Sequence, residues 1–397
     1  MKTFLAFGIL HAAGVLGTEF NPFPFSPGFN IAKVVELAEN ISSHSWEYGV
    51  TSQALLELYN PSISVFGAKP FPVPTVHKEN VKALAYASQK IVIGVGANAL
   101  SDGDGAVGDP ASMGVSAVLL GRRNNTFAAA ATEQLDYVVN GAPRAPNGAI
   151  SHRVDIVELW ADFIYMAPPF LAYYAADTNN ATLLHESVQQ CGRYREILQD
   201  NLHDAPYDGV WEHIIGPQHL DHGLWSTGNG WAAGGMARVL ATVMKAPVAK
   251  HALWRREAIE SLTMWIKEIV DGAMGAPTDE GLLRNYLNDT ETGHGFGEVA
   301  GSSMISAVIY RMAILQPHTF GKRYIKWADG IRHVLGENDA QGNPHITNLG
   351  IATPAVNPLD WNDIIPLTTG SPEGQAFVSL MYAAWRDCVW ADKCSRR

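Results

Sequence analysis

Apolar residues recur at three- and four-residue intervals in segment after segment of this chain, about twelve in all, and this limits the possible folds more than any other feature. The spacing predicts helices over 30–41, 45–59, 78–92, 109–121, 126–140, 155–176, 180–200, 227–245, 248–272, 297–315, 319–336 and 373–391. Several have clear starts: Ser45 precedes Trp46-Glu47, Asn180 opens a segment with Leu183, Leu184 and Val188, and Ser371-Pro372-Glu373 puts proline in a first turn. Strand-like alternation is short and rare. The Gly- and Pro-rich stretches 66–75, 101–110, 141–149 and 342–370 fall between helices, as loops do. A dozen helices in one unit suggest antiparallel pairs around an axis, either a barrel of the (α/α)6 kind or a solenoid. No fixed-period repeat is visible, which argues against the solenoid. Composition leaves the barrel and an irregular bundle both open. The hydrophobic share of 47% suffices for one large core, and no linker divides residues 18–397, so one all-α domain is expected there.

Residues 1–17 have the form of a secretory signal peptide: Lys2, an apolar run from Phe4 to Leu16, and small residues near Gly17. The expected protein is secreted and extracellular. The nearest thing to a membrane span, Leu159 to Ala176, contains Asp162 and Pro168-Pro169, so no membrane partner is expected. Asn40, Asn124, Asn180 and Asn288 each begin an Asn-X-Ser/Thr acceptor for glycosylation. Cys388 and Cys394 are close enough to close a small loop, and Cys191 sits in a helical segment as a free thiol. Acids outnumber bases 39 to 28 and the basic pairs are scattered, which excludes a nucleic-acid surface. Nothing demands more than a monomer. No Gly-x-Ser-x-Gly elbow, Walker loop or dinucleotide fingerprint occurs, and no cofactor is expected.

The window from Ser151 to Met166 is the richest in chemistry. As a helix it would line up Asp155, Glu158 and Asp162 on one face. For Asp155 and Glu158 the plainer reading is a solvated acidic face. Asp162 differs, because Trp160, Phe163, Ile164 and Met166 surround it and no base lies within a turn. A carboxyl in apolar surroundings holds its proton longer, which suits a general acid. Asp109 lies at a loop–helix junction before Pro110, an ordinary capping position. It gains interest as a second carboxyl, since glycoside hydrolysis commonly uses two.

The stretch Gly223 to Trp231 enters a helix through glycines and carries Trp225, Asn229 and Trp231. Two readings stand level: tight helix entry with packed tryptophans, or two aromatic walls of a sugar subsite with Asn229 donating hydrogen bonds. His213, His219 and His222, with Glu212 and Asp221, match no zinc spacing, and no metal is expected. Glu298 and Glu373 open later helices and are minor site candidates beside a structural role.

Together these windows resemble glycoside hydrolase family 105, the unsaturated rhamnogalacturonyl hydrolases of the six-hairpin type, in its fungal branch. The most specific pieces are Pro146 through Arg153, Leu159 through Leu171, His213, and Trp225 through Trp231, within a resemblance running from Trp46 to Trp385. The resemblance implies an (α/α)6 barrel. It also implies a substrate: the oligosaccharide left by a polysaccharide lyase, with a 4,5-unsaturated uronic acid at its non-reducing end. The family's catalytic aspartate matches Asp162, which would protonate C4 and activate water for attack at C5, so that the hemiketal collapses and the glycosidic bond is lost. The second aspartate falls on Asp109. By the same matching His152, Arg153, Trp160, His213, Trp225 and Trp231 line the substrate site.

One position departs from the bacterial pattern. Thr227 stands where an Arg is found in the Trp-x-Arg-Gly-Asn-Gly-Trp loop. A substrate carboxylate favours a bidentate Arg. Three readings follow: another cation such as Arg153 replaces it, the sugar differs, or activity is lost. The alternatives to an unsaturated uronyl hydrolase are therefore a conventional glycosidase on saturated uronides using Asp109 and Asp162, and a non-catalytic sugar-binding relative.

Overall fold

A computed structural model describes residues 20–199, 207–360 and 362–396; the expected signal peptide lies outside them. Among the described residues there are thirteen α-helices. They are α1 (Ile31–Ile41), α2 (Ser45–Tyr59), α3 (Lys82–Lys90), α4 (Gly108–Ala111), α5 (Gly114–Gly121), α6 (Asn125–Asp136) and α7 (Phe163–Asp177). There follow α8 (Ala181–Leu198), α9 (Ser226–Lys245), α10 (Arg255–Gly275), α11 (Val299–Leu315), α12 (Lys322–Leu335) and α13 (Pro372–Trp390). Two short antiparallel pairs, β1 (Leu159–Trp160) with β2 (Ile214–Ile215) and β3 (Thr278–Asp279) with β4 (Leu282–Leu283), tie loops together.

The helices pack as two concentric rings. The inner ring runs α2, α4 with α5, α7, α9, α11 and α13, and α13 closes back onto α2. Each inner helix has an outer partner: α3 on α2, α6 on α5, α8 on α7, α10 on α9, α12 on α11, and α1 on α13. This is the (α/α)6 barrel expected from the helix count. The two rings differ in sequence for a physical reason. An outer helix has one buried stripe, as in α12, where Tyr324, Ala328, Ile331, Arg332 and Leu335 face inward. An inner helix has none to spare for water: α9 is buried from Ser226 through Val243 and α11 from Val299 through Ala313.

Closing the inner ring depends on a proline–glycine–arginine arrangement. Pro168 and Pro169 lie inside α7 and cannot donate to the carbonyls of Ile164 and Tyr165 four residues earlier. Arg238 of α9 supplies one missing bond, Nη1 to the Tyr165 carbonyl at 3.1 Å. Gly235 lets α9 approach the other so closely that a Cβ there would sit 2.0 Å from the Ile164 oxygen. Gly330, on the exposed side of α12, has nothing within 4 Å. Gly235→Ala should therefore cost roughly 1–3 kcal/mol by overpacking, while Gly330→Ala should gain roughly 0.5–1 kcal/mol from helix propensity. Denaturant midpoints of the two variants moving in the same direction would contradict this packing.

The lower barrel is closed by buried charge. Arg311 bonds Glu57 and Asp387 at 2.6 Å each, Gln53 donates to Glu57 at 2.6 Å, and Arg238 reaches Gln53 at 3.2 Å. Cys388 and Cys394 form the expected disulfide, and Cys191 is buried and free. No helix among the described residues is long and apolar enough to cross a membrane. All four glycosylation candidates are exposed; Asn124 and Asn180 also cap α6 and α8.

Most of the expected helices are present within a few residues, but the segment 155–176 is corrected. Helix begins only at Phe163, and residues 151–162 are a loop apart from the two-residue strand β1. The Ser151 hydroxyl donates to the Ile156 carbonyl and accepts from the Glu158 and Arg153 amides, which commits this backbone to a folded loop. Asp155, Glu158 and Asp162 therefore share no helical face. Asp155 is exposed, as expected, but Glu158 is fully buried.

Candidate active site

The inner helices begin at one mouth of the barrel, and a cleft opens there. It encloses about 740 Å³ of empty space, open to solvent. Trp46 comes from the first turn of α2, Asp109 from α4, Asp162 from the residue before α7, Trp225 from the residue before α9, and Glu373 from the first turn of α13. His152, Arg153, Trp160, Met166 and His213 complete the inner walls, and Pro358 and Leu359 form a rim.

Two anchors hold the loops in place. Val107 donates to the His152 carbonyl at 2.7 Å and Ala106 bridges to Arg153, which fastens the Asp109 loop to the 151–158 loop. Glu158 accepts from the amides of Gln218 and His219 at 2.7 Å, from His219 Nδ1 at 2.8 Å and from Trp160 Nε1 at 3.1 Å. Burial alone would push its carboxyl upward, but these bonds prevail and hold it below its ordinary value. Glu158 is therefore the buried clamp that orients Trp160, rather than part of a solvated face.

His152 stacks on Trp160, with centroids 4.9 Å apart and planes at 24°. Gly108 makes room for it, since a Cβ there would lie 3.0 Å from His152 Nδ1. Burial lowers the His152 ring to about 4, so it is neutral at physiological pH, and its Nε2 lies 3.7 Å from Asp109 Oδ1. Asp109 moves the other way. Burial and the neighbouring Asp162 charge push its carboxyl up to about 8, against the pull of Arg153. Asp109, which the sequence offers only as a second carboxyl, is thus a carboxyl of the cleft that holds its proton into the neutral range.

No base lies within a turn of Asp162 in sequence, but the fold brings His213 to it. His213 Nε2 lies 3.6 Å from Asp162 Oδ2, and its Nδ1 is 2.9 Å from Asp221 Oδ2. Tyr286 donates to the same Asp221 oxygen at 2.7 Å. Burial opposes a charged His213 ring, but the nearby Asp162 carboxylate and the hydrogen-bonded Asp221 outweigh it and raise its pKa. The row Tyr286–Asp221–His213–Asp162 thus ends in the cleft. Trp225 packs on His213 at 4.4 Å and is fixed by its Nε1 bond to Asn285.

Seven of the expected site residues meet here: Asp109, Asp162, His152, Arg153, Trp160, His213 and Trp225. Two do not. Asn229 is buried, with its amide spent on the Trp211 amide and the Trp211 and Trp225 carbonyls. Trp231 is fully buried in the inner ring between Tyr165 and Phe377. Helix α9 starts at Ser226, so Trp231 lies more than a turn inside it and faces the core. His219 and His222 pair with Glu158 and Glu212. Thr227 is buried and donates to Glu298, which also takes the Ser226 hydroxyl and caps α11. It belongs to a buried helix cap, and Arg153 is the guanidinium that the cleft presents.

A carboxylate- and aromatic-lined cleft at the head of six helical hairpins defines an (α/α)6 barrel of the six-hairpin glycosidase class. The profile of Glycosyl Hydrolase Family 88 matches residues 117–385, and the chain belongs to that family. It is 27% identical over 126 residues to the unsaturated rhamnogalacturonyl hydrolase YesR of Bacillus subtilis, which is 30% of this chain and 36% of that protein. It is 29% identical over 149 residues to the unsaturated 3S-rhamnoglycuronyl hydrolase of Formosa agariphila, 36% of this chain and 37% of that one. The chain thus aligns with a little over a third of the length of these curated relatives. Among solved structures, a possible member of the GH105 family from Salmonella enterica superposes with a TM-score of 0.67 at 15% identity, covering 90% of this chain and 93% of that one. The resemblance to family 105 read from the motifs accords with these neighbours.

Proposed function

We propose that this protein is a secreted hydrolase that removes a 4,5-unsaturated uronic acid from the non-reducing end of lyase-generated plant cell-wall oligosaccharides. One observation carries this reading. Asp162 Oδ2, His152 Nδ1 and Arg153 Nε are buried without hydrogen-bond partners, and these three residues line the same aromatic-walled cleft as Asp109. Buried polar atoms are normally satisfied, so their convergence fits a site that a polar, ring-shaped ligand completes. Both curated relatives act, by name, on unsaturated rhamnoglycuronyl or rhamnogalacturonyl substrates.

Hydration of an enol ether needs a proton delivered to one carbon and water activated at the next. In this cleft Asp109 is neutral below about pH 8 and can give its proton, directly or through Asp162, to C4. Asp162 faces His213 and takes the proton released as water attacks C5. The pair begins and ends with the same number of protons. Arg153 offers the positive charge for the sugar carboxylate in place of the family arginine.

The raised Asp109 also favours a second reading, in which the two aspartates act as a conventional acid and base on a saturated uronide. Assays on unsaturated and saturated disaccharides of the same sugar separate the two. The unsaturated substrate should lose its ultraviolet absorbance with turnover, and kcat/KM should fall as pH rises through about 8, where Asp109 loses its proton. Asp109→Asn should lower the rate about 100-fold or more and abolish that alkaline limb. Wild-type activity still level two pH units above 8, or a limb persisting in Asp109→Asn, would remove Asp109 from the proton path.

A further inference from the structure

Glu373 occupies an unusual position for a residue in the first turn of a helix. Its side chain is 3% exposed and lines the cleft. One carboxyl oxygen, Oε1, accepts from Trp46 Nε1 at 2.9 Å, while Oε2 is buried with no partner. The cap of α13 is made without it: the Ser371 side chain accepts from the Gly374 amide. Capping therefore leaves Glu373 unexplained, and contact with Trp46 uses only half the carboxyl.

We propose that Glu373 is a further substrate-binding residue, whose Oε2 hydrogen-bonds an acceptor oxygen of the uronic acid seated against Trp46 and Asp162. This rests on the proposed function and names one more group of its site. Apart from Trp46, the titratable or charged groups acting on Glu373 are the carboxylates of Asp162, Glu47 on α2 and Glu298 at the head of α11. Burial first, then these like charges, hold its carboxyl well above the ordinary range, with Trp46 opposing them. A carboxyl in that state has one O–H to donate. With Oε1 already accepting from Trp46, the O–H falls to Oε2 and matches an oxygen acceptor rather than a sugar hydroxyl's proton. A neutral donor can approach an anionic uronate without the repulsion that a carboxylate would bring.

The test measures binding and turnover separately. Calorimetry on an Asp162→Asn background gives the Kd of an unsaturated uronyl disaccharide for the parent, Glu373→Gln and Glu373→Leu. Gln keeps a donor and an acceptor, so its Kd should stay within about threefold of the parent; Leu should weaken binding at least about tenfold, the usual loss for an unpaired polar contact. In the otherwise native enzyme, Glu373→Leu should raise KM more than it lowers kcat. A purely structural Glu373 would alter the melting temperature of the Leu variant and leave its Kd unchanged. Such a result overturns the proposal, as do a Gln variant as weak as Leu and a parent that binds no disaccharide. Binding lost in Leu but kept in Gln supports it even if the native enzyme turns over no unsaturated sugar, which would count against the proposed activity alone.

Discussion

Replacing Asp162 with Asn is expected to lower kcat/KM for an unsaturated disaccharide by about a thousand- to ten-thousand-fold, or about 4–5.5 kcal/mol of barrier. The loss sits in the chemistry. Asn keeps the size of Asp162 but can neither take a proton from water nor pass one to C4. The fold should hardly notice, because Asp162 precedes α7 without a side-chain cap and its Oδ2 has no hydrogen bond to lose. His213 remains tied to Asp221, so the cleft keeps its shape. The expected record is an unchanged unfolding transition, a KM within a few-fold of wild type and a collapsed kcat. A variant as active as the parent would falsify the role given to Asp162.

The largest effect on stability is expected at the opposite end of the barrel. Arg311 lies on α11 at the centre of a buried network and bonds Glu57 of α2 and Asp387 of α13. Arg311→Met fills similar space but strands the Glu57 charge, whose remaining side-chain bond is to Gln53. Asp387 suffers less, since Arg386 still reaches it at 2.8 Å. Breaking a buried pair in this way costs about 3–5 kcal/mol. Removing both partners, as in Arg311→Met with Glu57→Leu, leaves no orphaned charge at Glu57 and should recover much of that loss. Denaturant unfolding of wild type, single and double variants measures this directly. A double variant less stable than the sum of the singles would show that the network stabilises by more than mutual charge compensation.

The two ends of the barrel differ in how much of them the sequence discloses. The rings themselves are legible, since outer helices such as α12 carry one apolar stripe and inner ones such as α9 and α11 are buried throughout. Alternation of these two patterns along the chain is the six-hairpin topology in linear form. The stretch 151–162 misleads because its acids fall at helical spacing, while a single hydroxyl, Ser151, holds the backbone in a loop. Spacing cannot register a competitor of that kind. Trp231 and Asn229 misleads in a related way: they stand in the same motif as Trp225, but a residue at the head of a helix faces the mouth and one a turn further in faces the core.

In the sequence Trp46 reads only as part of a helix start, and Glu373 only as a minor site candidate. A usable signal existed for both. Every inner helix begins at the mouth, so the aromatic or acidic residues Trp46, Asp109, Asp162, Trp225 and Glu373 at their heads meet in the cleft, while Glu298 at the head of α11 is spent on its helix cap. The Tyr286–Asp221–His213 row had no such signal, because it joins a loop after α10 to one before α9 through contacts between distant parts of the chain. Raised and lowered pKa values were likewise out of reach. Asp109 stands in sequence at an ordinary capping position, and only its depth and its neighbours in the fold show that it holds a proton.

The most direct test follows the double bond itself. Purified protein is incubated with an unsaturated uronyl disaccharide and, separately, with its saturated counterpart, while ultraviolet absorbance and released aglycone sugar are measured together. The account predicts one double bond lost for each sugar released, an intact saturated disaccharide, and neither change in Asp162→Asn. Release of sugar with the double bond retained, or cleavage of the saturated disaccharide at a similar rate, would contradict it.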